Sequence, residues 1–152
     1  MLTLILTYLT VFLGLVAGVI LAFIAKEELP TAKKHFIFLR DILVTLIMLF
    51  LLYFYDLNKI IIMIVTILTF LTLINLKLEK DNILYLILSI VLMLTYKDKT
   101  FFLIESILVF LYGFPAGTLF AMKHMKNIKE LIKTFLTRYI WFFIPLIFAG
   151  YL

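Results

Sequence analysis

The sequence predicts an all-α integral membrane protein: six transmembrane helices arranged as three hairpins, with a parallel internal repeat relating helices 1–2 to helices 5–6. Three observations predict it. Hydrophobic residues make up 66% of the 152-residue chain, charged residues only 15%, and mean hydropathy is +1.22. Long uncharged runs alternate with short charged turns. One nine-residue motif occurs twice. A soluble domain is about 45–50% apolar and about 25% charged, and a chain of this size cannot hide so much apolar surface inside itself. Disorder needs low hydrophobicity. The absence of cysteine excludes disulfides, thiolate metal sites and a cysteine nucleophile.

A helix needs about 20 apolar residues to cross a hydrocarbon core of about 30 Å. Met1–Ala25 carries no charge and forms span one. A secretory signal needs a basic start and a shorter apolar stretch, so we expect a retained helix. Phe36–Tyr55 is span two, between Lys33–Lys34 and Asp56. Ile60–Leu76 is span three, between Lys59 and Lys77. Ile83–Tyr96 is span four; its 14 residues reach only about 21 Å as a helix, so its ends should snorkel. Phe101–Met122 is span five, and Thr134–Leu152 is span six. Membrane strands alternate apolar with polar residues, and these runs are apolar on every face. The whole of 1–152 reads as one transmembrane domain, with repeat units about 8–55 and 107–152 and an inserted hairpin about 58–97.

The turns after odd-numbered spans hold most of the basic residues. Lys26, Lys33, Lys34 and Arg40 mark the first, Lys77 and Lys80 the second, and Lys123, Lys126, Lys129, Lys133 and Arg138 the third. Lys59, Lys97 and Lys99 fall on the other side. Eleven basic residues against three predict cytoplasmic hairpin tips with both termini outside. The expected location is the cell membrane. The basic pI of 9.4 is therefore a topology signal and not one for nucleic acid. Abundant Lys and Ile with little Gly suggest a prokaryotic source.

Span one contains Gly14-Leu-Val-Ala-Gly18-Val-Ile-Leu-Ala22, and span five contains Gly113-Phe-Pro-Ala-Gly117-Thr-Leu-Phe-Ala121. Both read G-x-x-A-G-x-x-x-A at an offset of 99, and they hold four of the five glycines. Both spans run outside to inside, which makes the repeat parallel, about an axis along the membrane normal. Residues four apart lie on one helix face, so each motif is a stripe of small residues. Such stripes let helix backbones approach closely; packing is the favoured role, and room for a pore or solute is the alternative. Pro115 has no N–H and crowds the carbonyl of Leu111, so span five should kink or break there. Broken helices at mid-membrane are where transporters bind solutes.

Charges within spans are functional candidates by default. Asp41 and Arg40 fall early in span two, and Arg138 falls one turn into span six. Adjacent residues on a helix face different ways, so Arg138 is the expected partner of Asp41, headgroup water being the alternative. Glu105 lies one turn below the outer end of span five. It is either an interfacial ion pair with Lys97, Lys99 or Lys59, or a cation or proton site at the mouth of a pathway. Thr45, Thr66, Thr69, Thr72, Ser89 and Thr118 are the other polar groups between. His35 and His124 flank cytoplasmic ends without metal-ligand spacing. Trp141 and Tyr139 fit an aromatic belt. Lys123–Lys133 reads as a short basic amphipathic helix on the anionic inner leaflet.

No catalytic motif is present: no G-x-S-x-G, H-E-x-x-H or phosphate loop. We expect no enzyme, no cofactor and no metal. The sequence favours a small transporter or channel for a solute or ion, acting as a homo-oligomer because 152 residues leave little room for a cavity. The alternative is a non-catalytic structural or assembly subunit bound to a membrane-protein partner.

Overall fold

The computed structural model describes residues 2–76, 81–125 and 127–148. Seven α-helices and one 3-10 turn account for nearly all of them, and among the described residues there is no strand. The helices are α1 (Leu2–Ile24), α2 (Leu29–Phe54), α3 (Lys59–Leu76), α4 (Asp81–Thr95), α5 (Lys99–His124), α6 (Ile128–Tyr139) and α7 (Ile144–Phe148). Four stretches are long and apolar enough to cross a membrane: α1, α2, α5 and the run Ile128–Phe148. The apolar parts of α3 and α4 are shorter.

Among the described residues, polar residues between the helices serve as caps. Pro30 opens α2, where its fixed φ and missing N–H cost nothing. Asp56 takes φ 50° after α2, a left-handed conformation that aspartate tolerates. Asn58 accepts the Ile60 N–H at 3.0 Å and so starts α3. Asp98 accepts from the backbone of Thr100 at 2.9 Å and Phe101 at 3.1 Å at the head of α5. Each cap satisfies a donor that the first helical turn leaves open.

α5 is the central helix: it packs against α1, α2, α4 and α6, while α3 packs chiefly on α2. Accordingly 56% of the apolar window of α5 is buried, against 33% for α1, 28% for α2 and 22% for Ile128–Phe148. The buried face of α1 runs through Leu4, Tyr8, Val11, Leu15, Gly18 and Ala22, the four-then-three spacing of one helix face. Outward faces are equally apolar: Leu6, Leu13, Ile20, Ile60, Leu68 and Leu103 are all exposed.

Three expectations are corrected. α5 is continuous through Pro115 and is not broken there; Pro115 itself is buried with Gly113, Ala116 and Gly117 on the face packed against its neighbours. Span six is interrupted by a 3-10 turn at Ile140–Phe143. Pro145 cannot donate to the Trp141 carbonyl four residues back, and the Ile144 N–H takes that carbonyl instead, which is the tighter bonding of a 3-10 turn. Lys123–Lys133 is not one helix: α5 ends at His124, and Asn127 caps a new helix by accepting from Lys129 at 3.1 Å and Glu130 at 3.4 Å. Lys77 and Lys80 of the second basic turn, Lys126 of the third and the end of span six from residue 149 lie outside the described residues.

Candidate functional site

The two glycine motifs meet each other. α1 and α5 run side by side in the same direction, with Gly14 against Phe110 and Gly18 against Phe114. A Cβ on Gly14 would lie 2.2 Å from the Phe110 carbonyl oxygen, and one on Gly18 2.3 Å from that of Phe114. From the other side, a Cβ on Gly113 would lie 2.5 Å from the Leu15 nitrogen and one on Gly117 2.2 Å from the Leu15 oxygen. Only glycine permits this backbone-to-backbone approach. Ala22 and Ala121 are buried below it. Thr118 ties the seam by donating to the Gly18 carbonyl at 2.9 Å. No space is left along the seam for a solute.

Arg40 and Asp41 pair with each other, which corrects the expected Asp41–Arg138 contact. Arg40 donates from Nε at 3.0 Å and from Nη2 at 2.9 Å to Asp41 Oδ1. Both side chains are buried, whereas Arg138 is exposed. The Arg40 side chain is long enough to curl back over the 100° that separates neighbours on a helix, a reach the face argument ignored. α2 begins at Leu29, so Asp41 lies about 18 Å along the helix. Phe54 meets Phe101 with ring centres 5.2 Å apart, which makes α2 and α5 antiparallel. Counting 1.5 Å per residue from that contact sets Asp41 and Pro115 at the same depth, about 20 Å below it.

Glu105 is completely buried, on the α5 face that also carries Val109, Tyr112 and Ala116. Among the described residues neither carboxyl oxygen has a hydrogen-bond partner. The expected interfacial ion pair is absent among them: Lys59, Lys97 and Lys99 are exposed, and the one ion pair there is Arg40–Asp41. Glu105 and Asp41 remain about 14 Å apart in depth, by rise along α5 and α2, so they form two sites and not one.

Sequence reasoning missed the tyrosines. Tyr8, Tyr85, Tyr112 and Tyr139 are all buried at 0–1% exposure. Tyr85 lies 5.7 Å from Tyr112, 5.4 Å from Tyr139 and 4.9 Å from Phe142, ring centre to ring centre. Tyr139 is therefore a core residue and not part of an aromatic belt; Trp141 does face outward. Tyr8 donates to the Ser89 carbonyl at 2.6 Å, and the Ser89 hydroxyl donates to the Phe142 carbonyl inside the 3-10 turn. Tyr85 Oη has no partner among the described residues. The signal available in the sequence was position: Tyr8 and Tyr112 stand inside apolar runs and not at their ends, whereas Tyr85 is only two residues into its own. Most threonine hydroxyls turn back onto their own helices, as Thr45 does to the Asp41 carbonyl at 2.8 Å and Thr69 to Val65 at 2.8 Å.

Among the described residues no three metal-ligating side chains gather. His124 stacks on Phe120 and bonds its carbonyl at 3.0 Å through Nδ1. A cavity of about 740 Å³ opens on the flank between α1, the α4–α5 turn and α5. No protein-family model, curated protein or solved structure matches this chain.

Proposed function

We propose that the chain is a multi-pass membrane protein of the transporter or channel class, which passes a proton or small cation by way of Glu105 and works as a homo-oligomer. The single observation that carries this reading is the Glu105 carboxyl, wholly buried with no hydrogen-bond partner among the described residues. A buried polar group without a partner is costly, and a membrane-depth carboxyl marks an ion or proton route by default. A proton or a cation would complete it. Other buried hydroxyls lie in the core, at Ser89, Tyr8 and Tyr85. The buried Arg40–Asp41 pair is a second polar group within the bundle.

In this reading the chain crosses the cell membrane six times, with the basic hairpin tips in the cytoplasm and the termini outside. The apolar outward faces support embedding, and the eleven-to-three distribution of basic residues supports the orientation. The internal repeat draws support from the seam. Gly18 faces the Phe114 carbonyl while Gly117 faces the Leu15 carbonyl. Both pairs of equivalents differ by 99 in number, the reciprocity of a two-fold contact. The upper pair departs from it, since Gly14 faces Phe110 but Gly113 faces Leu15.

The closed α1–α5 seam favours one alternative, a non-catalytic subunit of a larger membrane complex. Flux decides between them. The purified chain is reconstituted into liposomes carrying a pH gradient or a monovalent-cation gradient. Dissipation by wild type and its loss in Glu105→Gln are expected. Equal flux in both would remove Glu105 from the route, and no flux together with a stoichiometric co-purifying protein would favour the subunit.

A further inference from the structure

We infer that the flank cavity is a binding groove for one anionic phospholipid, with the headgroup phosphate at Lys97 and Lys99 and one acyl chain lying between α1 and α5. This rests on membrane embedding but on no role for Glu105.

Two cavities of about 740 and 360 Å³ share Thr3, Thr7 and Leu103 in their walls and so form one groove. Its far end is Phe110, where the glycine seam brings the two backbones together. Above that contact the helices part. Lys97 and Lys99 stand at the open end. From Lys99 to Phe110 is about 16 Å of helix, and half of a hydrocarbon core is about 15 Å. The groove thus spans one leaflet from headgroup to midplane.

Its walls ask for no water. Thr7 donates to the Thr3 carbonyl at 2.9 Å, Thr10 to Leu6 at 2.8 Å, and Ser106 to Phe102 at 2.6 Å. With these three hydroxyls turned onto their own helices, the surface left to an occupant is mostly apolar, as an acyl chain requires. The mouth is the reverse. Lys97 and Lys99 are exposed, and among the described residues neither makes an ion pair. The Asp98 carboxylate between them caps α5 and keeps its charge, so the mouth carries one net positive charge. Two exposed ammonium groups over an apolar slot match a phosphate carrying a hydrocarbon chain. A net positive charge near an anionic lipid is worth about fivefold in binding, which is the preference expected here.

The test is native mass spectrometry of the detergent-purified full chain, titrated with phosphatidylglycerol or phosphatidylcholine of identical acyl chains. Wild type should hold phosphatidylglycerol about fivefold more tightly. The Lys97→Gln/Lys99→Gln double variant, altered only at exposed positions, should bring the two lipids close to parity. Leu103→Trp should lower retention of both lipids with helical circular dichroism unchanged. Equal binding of both lipids by wild type, or an undiminished preference in the lysine variant, would overturn the proposal. The chain has no native cysteine, so Leu103→Cys supplies a single thiol. Its oxidation to a disulfide-linked dimer in the bilayer would put a second copy in the groove and also overturn the proposal. A chain recovered from the soluble fraction without detergent would defeat the membrane reading itself, separately from the lipid preference.

Discussion

Adding one methyl group at Gly18 should force the two central helices apart. A Cβ there would sit 2.3 Å from the Phe114 carbonyl oxygen, whereas ordinary contact begins at 3.4 Å. The obstacle is backbone, which cannot rotate aside, so α1 and α5 must separate by roughly 1 Å. Overfilling a packed interface costs about 1–3 kcal/mol. The Thr118 bond to the Gly18 carbonyl, 2.9 Å in the intact seam, stretches at the same time. Such a bond contributes about 0.6 kcal/mol between membrane helices. Gly18→Ala should therefore lose on the order of 2–3 kcal/mol. Gly117→Ala, whose Cβ would lie 2.2 Å from the Leu15 oxygen, should lose about as much. Because either substitution already opens the seam, the double variant should fall short of the sum. Equilibrium unfolding in mixed micelles with rising dodecyl sulfate, followed by circular dichroism and by Trp141 fluorescence, reads these differences. Leu13→Ala, on the outward face of the same helix at 58% exposure, is the control and should change stability by less than about 0.5 kcal/mol. If both glycine variants match that control, or if their effects simply add, the account of the seam is wrong.

Three further outcomes follow from the buried polar groups. Asp41→Asn should destabilise the chain by about 3–5 kcal/mol, because it strips a buried charge of its counter-ion, while Arg138→Gln should stay within about 0.5 kcal/mol; comparable losses in the same unfolding assay would restore Arg138 as the partner. Glu105→Leu should raise stability by about 1–3 kcal/mol by removing an unsatisfied carboxyl while abolishing flux in liposomes, and a loss of stability would mark the carboxyl as structural. Ser89→Ala should cost about 1–3 kcal/mol, since the Phe142 carbonyl loses its donor, and should expose amides of the Ile140–Phe143 turn to hydrogen exchange; unchanged protection there would deny Ser89 its part in holding the turn.

Helix positions were legible in the sequence to within a few residues because charge and turn chemistry are local. Asp56, Asn58 and Asp98 all stand at helix boundaries, whereas the boundary at Asn127 falls inside a stretch that reads as one helix. α2 begins seven residues before the apolar span, because long basic side chains are easily carried on a helix past the apolar core. The candidate site was half legible. Glu105 stood out as an acid in an apolar run, but its complete burial did not. Its nearest basic residues in sequence are exposed instead of folded back onto it. Tyr139 reads as an aromatic-belt residue in the sequence and proves buried, and Tyr8, Tyr85 and Tyr112 carry no reading there at all, because burial of a ring depends on which helix packs against it.

By itself the sequence determined the all-helical class, the apolar exterior, the turns and the two small-residue stripes. Each of these depends on composition or on spacing along a single helix, and α-helical geometry is nearly the same in every context. Tertiary structure alone decided that the stripes face each other, that α5 stands at the centre, and that Pro115 leaves it unbroken. It also decided that Asp41 takes its neighbour Arg40 over Arg138, and that four tyrosines meet inside. These outcomes depend on which helix faces which, and an apolar helix surface is nearly alike on every side. Only the shape of the packed neighbours selects among its faces: the backbone contact that glycine permits, and the reach of a long side chain.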